Sequence, residues 1–98
     1  MIRHILLLRF NQSAELPEIN RLKDVFTSLP NKIEGVLSVE WGENDSPEGK
    51  NQGYTHSVLM TFVDDKGREN YLYHPEHDAL KKVFRPLLDD MVVFDYTV

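Results

Sequence analysis

The chain is short and acidic, and its composition excludes several classes of protein. Its 98 residues predict a single domain over 1–98, and the absence of cysteine excludes a disulfide framework and a thiolate metal site. A formal net charge of −5 argues against nucleic acid as a partner, because binding phosphates requires clustered lysine and arginine.

The first predicted element is a strand over residues 2–10, which is apolar on both faces in its middle. Because successive side chains of a strand point to opposite faces, both faces of this strand need cover. An amphipathic helix follows from Glu15 to Leu29, since its apolar residues recur at the spacing of one helix face. Ser13 is the candidate N-cap, and Pro30 ends the helix.

The middle of the chain predicts two strands, over residues 36–42 and 54–63, joined by a polar loop over residues 43–53. The loop is rich in Asn, Asp, Ser and Gly, a composition that cannot build a core. It is therefore either an exposed binding lid or an ordinary long hairpin connection. The first of these strands presents three apolar side chains on one face, those of Leu37, Val39 and Trp41.

Two helical segments follow, separated by a proline. Asp64 or Asp65 caps a stretch that includes residues 69–73. Pro75 starts the second helix, because its fixed φ and missing N–H suit the first helical turn. Pro86 predicts a kink or an early stop in that helix.

A last strand over residues 91–98 completes the order β-α-β-β-α-β, the pattern of a ferredoxin-like α+β fold. In this fold two helices cover one face of a four-stranded antiparallel sheet. The other face is too apolar to be left in water, so the sequence predicts a homodimer whose sheets pack face to face as an α/β barrel. The residues assigned to this face are Ile5, Leu7, Leu59, Phe94 and Tyr96.

The helix-covered face carries polar residues that are unusual in a core. Strand alternation places His4, His56 and Asp95 there. Buried polar groups need partners, and pairing with Asp95 would fix the tautomer of an imidazole and raise its basicity. The partner of Asp95 is either His4 or His77. These residues predict a ligand pocket between sheet and helices.

Tyr71 and His77 lie on either side of the predicted helix break. His77 falls in the first turn after Pro75, where the helix dipole disfavours the imidazolium form. A neutral histidine one turn from a tyrosine is a plausible proton-transfer pair; the alternative is a capping histidine beside a core tyrosine. The spacing of His74 and His77 is not that of the HExxH helix, so no metal site is expected.

Four motifs occur in order along nearly the whole chain. They are Ile2-Arg3-His4-Ile5, Gly53-Tyr54-Thr55-His56, Tyr71 with His74-Pro75-Glu76-His77, and Phe94-Asp95-Tyr96. In these motifs the chain resembles the stress-responsive dimeric α/β-barrel (Dabb) family. The resemblance implies a ferredoxin-like subunit and a sheet-to-sheet homodimer.

The resemblance also implies roles for single residues, because one plant branch of the family performs a cofactor-free aldol cyclisation of a linear polyketide. His77 would be the general base and Tyr71 the hydrogen-bond donor to the substrate carbonyl. No cofactor and no metal are expected. The positions implied for substrate binding are His4, His56, Asp95, Leu6, Val58 and Phe26.

Three functions remain open at this point. The first is a cofactor-free enzyme that moves a proton next to a carbonyl group, as an aldol, cyclisation or isomerisation step requires. The second is a non-catalytic dimeric module that binds small apolar molecules or acts in a stress response. The third is a cofactor-free oxygenase.

The sequence also predicts where the protein works. The apolar run of residues 5–8 is too short to span a bilayer, and no small-residue cleavage site follows it. A cytoplasmic protein without a membrane partner is therefore expected.

Overall fold

The computed structural model describes residues 1–98 as a four-stranded sheet with helices packed on one face. The strands are β1 (Ile2–Phe10), β2 (Val36–Glu43), β3 (His56–Phe62) and β4 (Leu88–Thr97), and the helices are α1 (Leu16–Ser28), α2 (Asp65–Leu72) and α3 (Pro75–Phe84). All neighbouring strands are antiparallel, in the order β2-β3-β1-β4. The predicted ferredoxin-like α+β fold is thus confirmed. None of the helices has the length and apolar composition needed to cross a membrane.

The N-terminus of α1 lies two residues beyond the predicted cap. The N-cap position is Glu15, whose backbone N–H donates to the side chain of Glu18 at 3.1 Å. Ser13 instead donates its hydroxyl to the side chain of Asn11 at 2.8 Å. The prediction of Ser13 as the cap was wrong because Ser13 takes part in a turn of its own before the helix begins.

The break between α2 and α3 follows from two caps. Asp64 caps α2 by accepting the N–H of Gly67 at 2.9 Å. His74 caps α3, where its Nδ1 accepts the N–H of Glu76 at 3.0 Å, and Pro75 is the first helical residue. The chain therefore turns sharply between two short helices, as the proline predicted.

The C-terminal end of α3 also agrees with the sequence. The α-helix ends at Phe84, and a 3₁₀ turn over Arg85–Leu87 leads into β4. Pro86 lies inside that turn and cannot donate a backbone hydrogen bond. The predicted early stop is confirmed.

The central strand β1 assigns residues to the two faces of the sheet. His4 pairs with Met60 on β3 and with Asp95 on β4, so these three side chains point to the same face. This face lies under the helices, and the phase predicted for it is confirmed. The residues of β1 that are buried there are Ile2, His4, Leu6 and Leu8.

The opposite face of the sheet is uncovered. Its exposed large side chains are those of Leu7, Val92, Phe94 and Tyr96, with Ile5 and Leu59 half-buried between them. The side chain of Phe94 alone is 60 % exposed. Contiguous apolar surface of this kind marks an interaction site in most proteins. We call this surface the outer face.

One strand departs from its predicted alternation. Val39 and Trp41 pack against the core, but Leu37 is 52 % exposed. The register between β2 and β3 shifts between Val36 and Ser38, which inserts one extra residue into β2 and turns Leu37 away from the core. Placing Leu37 on the same face as Val39 was therefore wrong, and Val36 is the buried residue instead.

The polar loop between β2 and β3 is a hairpin connection with a defined backbone. Asn44 donates its N–H to the carbonyl of Thr55 at 2.8 Å, and Thr55 donates to the carbonyl of Leu8 at 3.0 Å. Together with the outer face, the loop borders a hollow of about 600 Å³ that is lined mainly by polar residues and also by Leu7 and Val92. The loop thus lies at the edge of the outer face.

Helix α2 contacts the segment before β2 through two glycines. A Cβ atom on Gly67 would lie 2.9 Å from the carbonyl oxygen of Gly35. A Cβ atom on Gly35 would lie 2.6 Å from the Cα of Gly67, and Gly35 has a φ of +95°. Side chains are therefore excluded at both positions, and this contact fixes how closely α2 approaches the sheet.

We predict that Gly67→Ala destabilises the protein by about 1–3 kcal/mol, because the added methyl group collides with the backbone of Gly35. This loss outweighs the gain of about 1 kcal/mol that alanine brings to a helix interior. Urea unfolding measures the difference. Lys66→Ala, an exposed neighbour on α2, is the control and should change the free energy of unfolding by less than about 0.5 kcal/mol. A stabilised Gly67→Ala variant would contradict the prediction.

Candidate functional site

A cavity of about 430 Å³ lies between the helix-covered face of the sheet and the helices α2 and α3. Three uncharged polar side chains line it from three different elements: His4 from β1, Tyr71 from α2 and His77 from α3. A cavity with apolar walls and a few convergent polar groups is typical of a small-molecule site. The other lining residues are Leu6, Leu72, Lys81, Phe84, Arg85, Leu88, Asp89, Asp90, Met91 and Val93.

The side chain of Tyr71 is almost fully buried, and its ring packs against that of Phe62 at 5.3 Å between centroids. Its hydroxyl makes no hydrogen bond within the chain. Since every fully buried side-chain nitrogen and oxygen of the protein has a hydrogen-bond partner, the Tyr71 hydroxyl is not fully enclosed. The hydroxyl must therefore be reached from the cavity that Tyr71 lines. Burial raises the pKa of Tyr71, so the phenol remains a proton donor at neutral pH.

The ring of His77 lies beside that of Tyr71, with 4.4 Å between their centroids. His77 Nδ1 is 3.0 Å from the carbonyl oxygen of Leu72. Because a carbonyl only accepts hydrogen bonds, Nδ1 carries the hydrogen. In the neutral ring, Nε2 then keeps a free lone pair. This contact holds the imidazole in the tautomer that a base requires.

The surroundings of His77 favour its neutral form. Burial is the largest cause that lowers the pKa of His77, and the positive charge of Lys81 acts in the same direction. The hydrogen bond to Leu72 and the charge of Asp78 oppose this shift without cancelling it. His77 is consequently an unprotonated base at neutral pH.

Asp95 pairs with His4 and not with His77. The distance between His4 Nδ1 and Asp95 Oδ1 is 2.6 Å, as expected for residues that face each other on neighbouring strands. A carboxylate oxygen accepts, so Nδ1 of His4 donates, and in the neutral ring Nε2 then keeps a free lone pair. Of the two histidines that the sequence left open for Asp95, the structure selects His4.

A further residue reaches this pair. Arg68 Nη1 is 3.2 Å from Asp95 Oδ2, and Arg68 Nη2 is 3.2 Å from Asp65 Oδ1. Sequence reasoning missed Arg68, although the helical spacing held a signal: Arg68 precedes Tyr71 by three residues and therefore lies on the same helix face.

Four expected pocket residues lie outside the lining of the cavity, and one of them, Asp95, reaches it only through its contact with His4. Phe26 and Val58 are fully buried in the core. The ring of His56 packs between those of Phe10 and Trp41, at 5.1 and 5.4 Å. His56 pairs with Leu8 of β1, four residues beyond His4, which at about 3.3 Å per residue separates them by more than 10 Å.

Helix α3 contributes more to the cavity than the sequence reading proposed. Lys81 and Phe84 line it together with His77. They follow His77 by four and seven residues, the spacing of one helix face. No group of three or more His, Asp or Glu side chains is placed to share a metal ion.

The lowered pKa of His77 predicts a pH dependence of stability. In the folded protein this pKa lies below the value of about 6.5 in the unfolded chain. Between the two values the unfolded state binds more protons, so the free energy of unfolding rises with pH. The contribution of His77 is therefore lost as the pH falls below about 6.5.

We expect His77→Gln to lose less stability between pH 7 and pH 5 than the wild type, because glutamine does not titrate. Thermal and urea unfolding at a fixed protein concentration measure this difference. His74→Asn is the control, since asparagine keeps a side-chain acceptor at the N-cap. Equal slopes with pH in His77→Gln and the wild type would contradict the expectation.

Comparisons with known proteins agree with this fold. The family model of the stress responsive A/B barrel domain (Dabb) matches residues 2–98. Olivetolic acid cyclase of Cannabis sativa is 28% identical over 96 residues, which cover 98% of this chain and 95% of the cyclase. The stress-response A/B barrel domain-containing protein HS1 of Arabidopsis thaliana is 33% identical over 95 residues, covering 97% of this chain and 87% of HS1.

Two solved structures are informative neighbours. Hydroxynitrile lyase from Passiflora edulis superposes with a TM-score of 0.92 at 25% identity, over 99% of this chain and 92% of the lyase. A dimeric ferredoxin-like protein of unknown function from Thermobifida fusca superposes with a TM-score of 0.85 at 25% identity, over 99% of this chain and 90% of its own.

Proposed function

This chain belongs to the Dabb family of stress-responsive A/B barrel domains, and from this we propose that it is a cofactor-free acid–base enzyme. Its substrate is a small, largely apolar carbonyl compound bound between sheet and helices. One observation carries the proposal: the Tyr71 hydroxyl, free of partners in the chain, opens on the cavity lined by the base His77. Two full-length relatives are by name a cyclase and a lyase.

The proton transfer needs only groups of this chain. His77 Nε2 takes a proton from the carbon next to a substrate carbonyl, and the C–H electron pair forms an enolate. The O–H of Tyr71 donates a hydrogen bond to the enolate oxygen, where negative charge develops. The enolate carbon attacks a second carbonyl of the same molecule and forms a carbon–carbon bond. The resulting alkoxide takes the proton back from His77, so no proton is gained or lost.

The walls of the cavity select the kind of substrate. Leu6, Met91 and Val93 offer apolar surface from the sheet, and Leu72 and Phe84 from the helices. Such walls hold a hydrocarbon portion and exclude water, which strengthens hydrogen bonds at the reacting end. His4 Nε2 supplies an acceptor for a hydroxyl or enol group of the substrate.

The proposal includes a homodimer formed through the outer face. Phe94 and Tyr96 are too exposed and too apolar for a free surface, and the Thermobifida fusca neighbour is dimeric. A second copy packing sheet to sheet buries these side chains and brings the loop over residues 44–55 beside the partner. A cytoplasmic location stays a prediction from the sequence.

We predict that His77→Gln lowers kcat/KM by about 10²–10⁴-fold, because it removes the base, and that Tyr71→Phe lowers it by about 10²–10³-fold, because it removes the enolate donor. The assay uses a panel of β-polyketide thioesters, β-polyketide acids and hydroxynitriles. Product formation is followed by liquid chromatography and mass spectrometry.

Two matched variants control for the chemistry of the substitutions. Tyr73→Phe removes a hydroxyl from a side chain that is 80% exposed, and His74→Asn replaces a histidine that only caps α3. Both should keep wild-type turnover. Unchanged turnover in His77→Gln and Tyr71→Phe would remove the roles assigned here, and ligand binding without turnover in the wild type would favour the non-catalytic module.

The homodimer predicts that Phe94→Glu gives unfolded or aggregated protein, because a carboxylate cannot be buried unpaired between two sheets. Size-exclusion chromatography with light scattering and circular dichroism measure mass and folding. Tyr73→Glu, an exposed change on the helix side, is the control and should remain a folded dimer. A well-behaved Phe94→Glu monomer, or an unchanged dimer, would argue against this interface.

A further inference from the structure

The carboxylate of Asp95 lies between an imidazole and a guanidinium. Its Oδ1 is 2.6 Å from His4 Nδ1, and its Oδ2 is 3.2 Å from Arg68 Nη1. The exposed fraction of the side chains rises outward along this row, from 7% at His4 to 24% at Asp95 and 33% at Arg68. Arg68 therefore contacts the carboxylate oxygen that His4 leaves free and partly covers it from water.

Arg68 is itself held in position by its helix. The guanidinium donates a second contact to Asp65 on α2, and Arg68 lies one helical turn before Tyr71. Because a guanidinium remains protonated at any working pH, it is a permanent hydrogen-bond donor to Oδ2 of Asp95. It also offers the carboxylate a permanent positive partner that competes with a protonated His4.

We propose that Arg68 is a positioning residue that acts on His4 through Asp95. Asp95 fixes the tautomer of His4, and Arg68 offsets the negative charge that would otherwise draw a second proton onto the ring. His4 then presents a free Nε2 lone pair to the cavity. This deepens the proposed function, because such an acceptor selects carbonyl compounds that also carry a hydroxyl or enol proton.

Other charged or titratable groups also face His4, and none replaces Arg68 in this role. From α2, Tyr71 stands with its ring 6.0 Å from that of His4. From α3, His77 and Lys81 line the same cavity, and Lys81 is paired with Asp78 at 3.3 Å. The remaining charged lining residues, at the C-terminal end of α3 and the start of β4, are Arg85, Asp89 and Asp90.

The test is the protonation of His4, followed by NMR of ¹⁵N-labelled imidazole nitrogens over pH 5–9. In Arg68→Met we expect the midpoint of His4 proton uptake to rise by about 0.5 to 1 pH unit, because Asp95 then acts on the imidazolium alone. In Asp95→Asn we expect the midpoint to fall. In the double variant we expect the midpoint of Asp95→Asn, because Arg68 acts only through the carboxylate.

Two further variants separate this role from a structural one. Arg68→Lys keeps a positive charge near Asp95, so the midpoint of His4 should rise by no more than half as much as in Arg68→Met. Asp65→Asn removes the other partner of Arg68 but leaves Asp95 untouched, and it should move the midpoint by less than half as much as Arg68→Met. Backbone spectra of each variant report whether it is folded.

An unchanged or lowered midpoint in Arg68→Met would overturn the inference. So would a shift of equal size in the Asp95→Asn background, because Arg68 would then act on His4 without the carboxylate. These outcomes do not depend on turnover. If the midpoints move as expected and no variant or wild-type protein shows activity, the role of Arg68 stands and the proposed function fails.

Discussion

The alternation of side chains along β1 is the constraint on which the rest of this protein depends. β1 is paired on both edges. A slip of one residue in its register would therefore move every side chain that is now buried under the helices to the outer face. With the observed register, His4 and Leu6 point under the helices while Ile5 and Leu7 point to the outer face. The same alternation therefore builds both the cavity and the apolar outer face.

The cavity lies where two short helices meet. Pro75 separates α2 from α3 and places Tyr71 and His77 on opposite sides of the break, with their rings in contact. Burial acts on the two side chains in opposite senses: it holds the phenol protonated and the imidazole unprotonated. A donor and a base arise mainly from burial, and the charges of Lys81 and Asp78 act on His77 less strongly.

Most of the fold could be predicted from the sequence because it rests on local signals. The apolar run of β1, the alternation in β3, the helical period of α1 and the prolines at 75 and 86 each fix an element or an end. Leu37 could not be placed correctly, since the register shift in β2 depends on the hydrogen bonds of β3. The prediction of Ser13 as the N-cap of α1 failed because its side chain stabilises a turn before the helix instead.

The site was predictable in part, for a similar physical reason. The contact of His4 with Asp95 joins residues 91 positions apart. Only the order of the strands favours His4 over His77 as the partner of Asp95. Face assignment placed His56 on the correct side of the sheet but could not measure its distance along the strand. Arg68 was missed because helical spacing places it on the face of Tyr71 but does not show that it contacts the oxygen of Asp95 that His4 leaves free.

The pairing of β1 with β4 has a consequence for how the molecule is made. Ile2 lies opposite Thr97, Val98 donates its N–H to the carbonyl of Met1, and the N-terminal amino group donates to the carbonyl of Val98. The central strand consequently gains its second neighbour only after β4 has left the ribosome, and closing so long a loop is slow. Until then His4 has no carboxylate and the cavity lacks one wall. The hollow under the helices is thus enclosed only once nearly the whole chain has been synthesised.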